Sequence, residues 1–233
     1  LSSTDTARLE TLGYVSTGKP TIDTDVTELD LFDPVGGNPA DYSEIFKKRE
    51  IFNLLQSQRR YDAAARVMKE ILEALPDSPR MLADLAEVYR AQGRMDQAIA
   101  TYREALAQSP EDFYIERGLA VVLVEAAQWD EAQAALEKLY SERPGDFLVL
   151  SNLGVTLGSK EKYDDARAFL HAALNVAPNH PQALHALGVI SFKEGKYDEA
   201  IELFERALKA DPKFERCERD LGLLRQKLKQ EAP

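Results

Sequence analysis

Five prolines, Pro76, Pro110, Pro144, Pro178 and Pro212, stand one after another at a constant spacing of 34 residues. A fixed interval of this length marks a stack of like supersecondary units, each unable to bury its apolar face without a neighbour. The last unit, 181–214, shows the pattern most fully: PQALHALGVISFKEGKYDEAIELFERALKADPKF. Its Leu184, Leu187, Gly188, Tyr197, Ala200, Phe204 and Ala207 fall at the offsets of two amphipathic helices joined by a tight turn. Sliding the frame back places earlier units at 45–78, 79–112, 113–146 and 147–180.

Each position in the unit has a physical task. Ala86, Ala120, Gly154 and Gly188 keep the first helix thin where the second crosses it, whereas Phe52 fills that place in the first unit, which has no predecessor. Ala64, Ala98, Ala132, Ala166 and Ala200 are the small partners on the second helix, and Met68, Tyr102, Leu136, Leu170 and Phe204 are the large residues that lock each unit to the next. Tyr61, Met95, Trp129, Tyr163 and Tyr197 fill the corner between helices. Each precedes an aspartate (Asp62, Asp96, Asp130, Asp164, Asp198) whose carboxylate is expected to accept from the free N–H groups of the second helix and to meet its dipole. The prolines stop each second helix from continuing. Residues 213–230 carry Phe214, Cys217, Leu221, Leu224 and Leu228 on one stripe and charged residues elsewhere, as a solvating cap requires.

This spacing of small, aromatic and proline positions resembles the tetratricopeptide (TPR) repeat family. The resemblance covers 45–230 and implies an all-α class: a right-handed superhelix of five helix–turn–helix repeats with a capping helix and tail over 215–233. Ahead of it, residues 4–15 read as a short helix closed at Gly13, within a 1–15 segment. ARLETLGYVS within it, followed by Asp33-Pro34, resembles the end of a bacterial sulfatase-like catalytic domain and its linker. That likeness implies an upstream catalytic domain and an exported, periplasmic protein; without it, a cytoplasmic one. The chain begins at Leu1 and is expected to be a piece of a longer protein. Residues 16–44 are broken by Gly18, Pro20, Pro34, Gly36, Gly37 and Pro39, yet hold Ile22, Val26, Leu29, Leu31 and Phe32 among acids. They are expected to form an extended arm lying on a surface.

Charge narrows the range of partners. Net charge is −11, and residues 1–44 hold nine acids against two bases. An acidic chain without a basic stripe repels nucleic acid and anionic lipid. No apolar run is long enough for a membrane insertion. Catalytic chemistry is equally absent: the Cys/Ser-x-Pro-x-Arg motif of sulfatase-like enzymes does not occur, so no catalytic residue and no cofactor is expected. Cys217 lies on an apolar stripe and reads as a packed thiol. His171, His180 and His185 lack ligand spacing, and the Asp23–Asp30 run places Glu28 where a calcium loop needs glycine, so no metal is expected.

The expected functional surface is the concave one, lined by first-helix positions 2, 5, 6, 9 and 12 of each unit. Its first half is polar, with Arg49, Asn53, Asp84, Glu87, Arg90, Tyr114 and Arg117. Its second half is mainly apolar, with Val121, Val155, Val189 and Phe192, beside Asn152 and His185. A chaperone-tail receptor would need Asn and two basic residues where Asp84, Tyr114 and Gly118 stand, so that reading is rejected. A protein or peptide is the expected partner, with the chain's own residues 16–44 or an upstream catalytic domain as candidate occupants.

Overall fold

The computed structural model describes residues 39–231, with side chains over 43–230. The 4–15 helix, the sulfatase-like segment and the arm up to residue 38 lie outside the described residues. Eleven α-helices follow one another among the described residues. They group as two compact units that meet in sequence between Gln128 and Trp129.

The first unit holds α1 (Pro39–Ser57), α2 (Tyr61–Ala74), α3 (Pro79–Ala91), α4 (Met95–Gln108) and α5 (Phe113–Glu125). Here α1 pairs with α2 and α3 with α4, while α3 also packs on α2 and α5 on both α4 and α3. The second unit holds α6 (Trp129–Glu142), α7 (Phe147–Ser159), α8 (Tyr163–Val176), α9 (Pro181–Lys193), α10 (Tyr197–Ala210) and α11 (Glu215–Glu231). Within it α7 pairs with α8 and α9 with α10, α9 packs on α7 and α8, and α11 covers α10. The first helix starts earlier than the repeat frame suggests. Pro39 opens α1 because its fixed φ and missing N–H suit a first turn, so 39–44 is helical and not part of an extended arm.

The turn inside each repeat is the same turn five times. Arg59, Gly93, Ala127, Glu161 and Gly195, again at one-period spacing, all have positive φ, between 56° and 76°. After each, the next residue's N–H reaches back to a first-helix carbonyl: Arg60 to Leu55, Arg94 to Tyr89, Gln128 to Leu123, Lys162 to Leu157 and Lys196 to Ser191, all at 2.9 Å. This is the six-to-one bond that closes a helix through a left-handed residue. Glycine meets that backbone demand at only two of the five sites. Second helices end two residues before each period-marking proline.

Small and large residues interlock as the sequence predicts. Ala64, Ala98, Ala132, Ala166 and Ala200 are wholly buried, and so, to within 2 %, are Met68, Tyr102, Leu136, Leu170 and Phe204. A methyl group placed on Gly154 would lie 2.5 Å from Leu170, and one on Gly188 would lie 2.6 Å from the Phe204 ring. The backbones therefore approach to a distance that no side chain at 154 or 188 permits without displacement. Cys217 is buried against the Phe204 carbonyl, and burial with the nearby Asp220 charge pushes its thiol up to about 11, which leaves it unreactive.

One expectation needs correction. The residues that cap α2, α4, α8 and α10 are Arg60, Arg94, Lys162 and Lys196, and none makes a side-chain cap bond. The aspartates sit two positions past the cap, in the first turn of the helix, where Asp62 accepts instead from Gln92 (2.8 Å) and Asp130 from Lys160 (2.7 Å). Carboxylate capping occurs on first helices: Asp112 accepts from the N–H groups of Tyr114 and Ile115, and Asp146 from those of Leu148 and Val149. Each such cap contributes about 1 kcal/mol.

Candidate functional site

The first-helix face of the first unit is a closed set of polar contacts. Helical periodicity brings Arg49 of α1 to the rim of α3, where its guanidinium pairs with Asp84. Burial raises the Asp84 carboxyl above its ordinary value, and the attraction of Arg49 only partly offsets that. Arg90 of α3 reaches Glu87 at 2.7 Å and Glu125 of α5 at 2.8 Å. Burial works against its charge, but the two carboxylates more than compensate and hold the guanidinium above its usual value. The Tyr102 hydroxyl donates to Glu87, and burial, then that carboxylate, holds the phenol far from ionisation. Arg117 of α5 lies over the rings of Tyr114 (5.3 Å) and Phe113 (5.8 Å). Asn53 and Tyr114 are exposed, and Val121 is half-buried.

The corresponding face of the second unit is less polar. Val155 of α7 and Val189 of α9 occupy one repeat position on adjacent helices and are both half-buried, while Val149, Leu150, Leu153, Leu184, Leu187 and Ile190 are buried. Phe192, one turn on from Val189, is also half-buried, with its ring 5.8 Å from that of Tyr197. The Asn152 amide donates to the Leu148 carbonyl at 2.7 Å, and Thr156 in turn donates to the Asn152 carbonyl at 2.8 Å. His185 is not available to a ligand as the sequence reading expects. It is only 6 % exposed, held between the rings of Phe204 and Phe214, with Nε2 2.7 Å from Asp220 Oδ2 of the capping helix. Burial lowers its basicity, the Asp220 hydrogen bond and charge oppose this, and Arg216 adds to the lowering.

Arg49 and Arg90 are thus already engaged by Asp84, Glu87 and Glu125, and Asn152 by its own helix. Val155, Val189 and Phe192 remain as an apolar strip, with Val121 at the same repeat position in the first unit. The acids that close these contacts include two the sequence reading passed over, Glu125 and Asp220. A signal for them exists: Arg49–Asp84, Arg90–Glu125 and His185–Asp220 all span 35 residues, one period plus one. Among the described residues no group of three or more His, Cys, Asp and Glu side chains could hold a metal ion. No described helix is long and apolar enough to cross a membrane.

Three family models, each described as a tetratricopeptide repeat, match residues 49–113, 89–153 and 146–213. They overlap to run unbroken from 49 to 213 and do not reach the segment that resembles a sulfatase. No curated protein matches the chain. Among solved structures, TTC0263, a thermophilic TPR protein of Thermus thermophilus, is similar with a TM-score of 0.65 and 21 % identity, over 77 % of this chain and 98 % of that one. MamA from Desulfovibrio magneticus RS-1 is similar with a TM-score of 0.60 and 18 % identity, over 73 % and 96 %. YrrB, described as a TPR protein with an unusual peptide-binding site, is similar with a TM-score of 0.53 and 20 % identity, over 74 % and 89 %.

Proposed function

The chain belongs to the tetratricopeptide repeat family, and from that premise we propose that it is a non-catalytic protein-interaction module. It holds a peptide or partner segment on the first-helix faces of its repeats, with the second unit providing the apolar contact. The observation that carries this reading is the strip of Val155, Val189 and Phe192, left half-buried on α7 and α9 while their apolar neighbours are buried. Apolar groups at matched positions on adjacent helices offer a periodic row of contacts to an apolar or amphipathic segment. The description of YrrB as peptide-binding supports the same use of the fold. In the first unit Arg49 and Arg90 are paired with acids, so the exposed Asn53 is a polar group offered to a partner there.

The test uses peptides selected from a random library on the immobilised wild-type chain. Val155→Glu with Val189→Glu removes two apolar contacts and adds two charges. Full burial of a valine contributes roughly 1.5–3 kcal/mol; these are already half-buried, so a loss of about 1 kcal/mol each lowers affinity roughly 30-fold. Unchanged affinity in a variant with wild-type helicity rules the strip out. A chain lacking residues 1–38 separates outside partners from the chain's own acidic segment, since only a self-occupied face binds peptides more tightly after the deletion.

A further inference from the structure

The first unit carries a second feature, on helices other than the α7 and α9 of the strip. Where the α1–α2 turn meets the α3–α4 turn there is an open cavity of about 550 Å³, and four arginines line it: Arg59, Arg60, Arg66 and Arg94. One acid, Asp62, also lines it and is hydrogen-bonded to Gln92 at 2.8 Å. The cavity therefore holds a surplus of three positive charges in a chain of net charge −11. The Arg94 guanidinium is fixed by Gln97 and by the Tyr89 ring, 4.8 Å from its centroid. The guanidinia of Arg59, Arg60 and Arg66 have no hydrogen bond, ion pair or ring partner among the described residues.

The repeat asks for a base only at the place of Arg60 and Arg94, where Lys162 and Lys196 also stand, and not at the places of Arg59 and Arg66. One period on from Arg59 and Arg66 stand Gly93 and Ala100, and two periods on stand Ala127 and Ala134, within the same kind of turn and helix. Arg59 even occupies the left-handed position, at φ 56°, that glycine takes in two other repeats. Tyr61, Asp62 and Ala63 of the first turn of α2 also line the cavity, and the N-cap residue Arg60 makes no side-chain cap bond.

We propose that this cavity is an oxyanion site for a phosphoryl group. Guanidinium presents paired, fixed N–H donors that bridge two oxygens of one anion. A single carboxylate would leave most of the surplus uncompensated, whereas a phosphoryl dianion neutralises more of it and offers an oxygen to each of three donors. The site is independent of the peptide-binding reading of α7 and α9, and either can fail without the other.

The experiment titrates inorganic phosphate into the full chain in chloride buffer at constant ionic strength, following both binding heat and thermal midpoint. Saturable binding is expected, with acetate at least fivefold weaker. Arg60→Gln with Arg66→Gln weakens phosphate binding at least tenfold, while Lys209→Gln with Lys213→Gln, an equal loss of charge in the second unit, leaves it unchanged. A short phosphoserine peptide that binds more tightly than phosphate assigns the group to a modified protein side chain; equal affinity assigns it to free phosphate. Three results each overturn the proposal: no saturable binding, equal binding by the arginine variant, or acetate binding as well as phosphate.

Discussion

The two compact units use one repeat grammar and finish their first-helix faces differently. In the first, position 5 of one repeat meets position 6 of the next as Arg49–Asp84; in the second the same contact is His185–Asp220. Tyr102 and Phe204 occupy one repeat position, yet the first turns a hydroxyl to Glu87 while the second stacks on His185, with ring centroids 5.4 Å apart. The backbone requirements of the repeat are met in both, so the choice of ion pair or apolar contact is free to vary. That freedom is where binding specificity resides in a repeat array, because stability depends on nearest-neighbour packing and not on the open face.

The largest effect comes from removing the locking ring of the second unit. Phe204→Ala deletes a wholly buried ring that lies against Gly188 and His185, and is expected to cost about 3–5 kcal/mol, read by urea denaturation. Tyr102→Phe, at the matching place in the first unit, keeps the ring and loses only the bond to Glu87. It is expected to cost about 1 kcal/mol. Equal losses in the two variants would mean that the polar tip carries as much stability as the ring.

Acid separates the two position 5–6 contacts. Burial lowers His185 below its ordinary 6.5, so the unfolded chain binds the proton first and stability falls as pH drops from 6.5 towards the lowered value. Burial raises Asp84 above its ordinary 3.8, so the folded chain takes up the proton first and stability rises as pH falls from the raised value towards 3.8. The expected outcome is that His185→Gln flattens the loss below pH 6.5 and Asp84→Asn flattens the opposing gain at lower pH, both read from denaturation midpoints across pH. Faster amide exchange in α11 on mild acidification, without a matching change in α1 and α3, locates the histidine effect. A chain whose stability rises below pH 6.5 and whose slope His185→Gln leaves untouched would contradict it.

The smallest effects lie at the turns. Gly195→Ala places a methyl group in the left-handed region with open space around it, so backbone strain alone acts, at a cost of about 1 kcal/mol. Glu161→Gly relieves the same strain one repeat earlier and is expected to gain about 0.5 kcal/mol after the entropy of a new glycine is subtracted. Opposite signs at two equivalent turns, read by urea midpoints, sharpen the view that the turn is set by the repeat and not by the residue. Two shifts of the same sign would refute it.

Much of this molecule can be read from residue spacing. The 34-residue interval places the helix pairs, the prolines mark the ends of second helices, and the small residues at 154 and 188 foretell the close crossings. These are properties of a chain's path over one or two turns of helix, and a linear pattern records them directly. The site was less legible. Arg49, Arg90 and Asn152 look available in the sequence, and the structure shows them already paired by Asp84, Glu87, Glu125 and the Leu148 carbonyl. His185 looks like a groove residue until α11 covers it. The aspartates after the corner residues look like caps, but the helices begin two residues earlier than their carboxylates require.

Sequence alone therefore determined the repeat, its all-α class and the packing alphabet of each helix pair, because those follow from periodicity and side-chain size along the chain. Only the tertiary structure decided which charges neutralise one another, which first-helix valines keep contact with solvent, and where three arginines of two turns meet a fourth from α2. Those outcomes depend on the rotation of one helix pair against the next. A shift of one residue beyond the period, invisible in any single repeat, selects the partners.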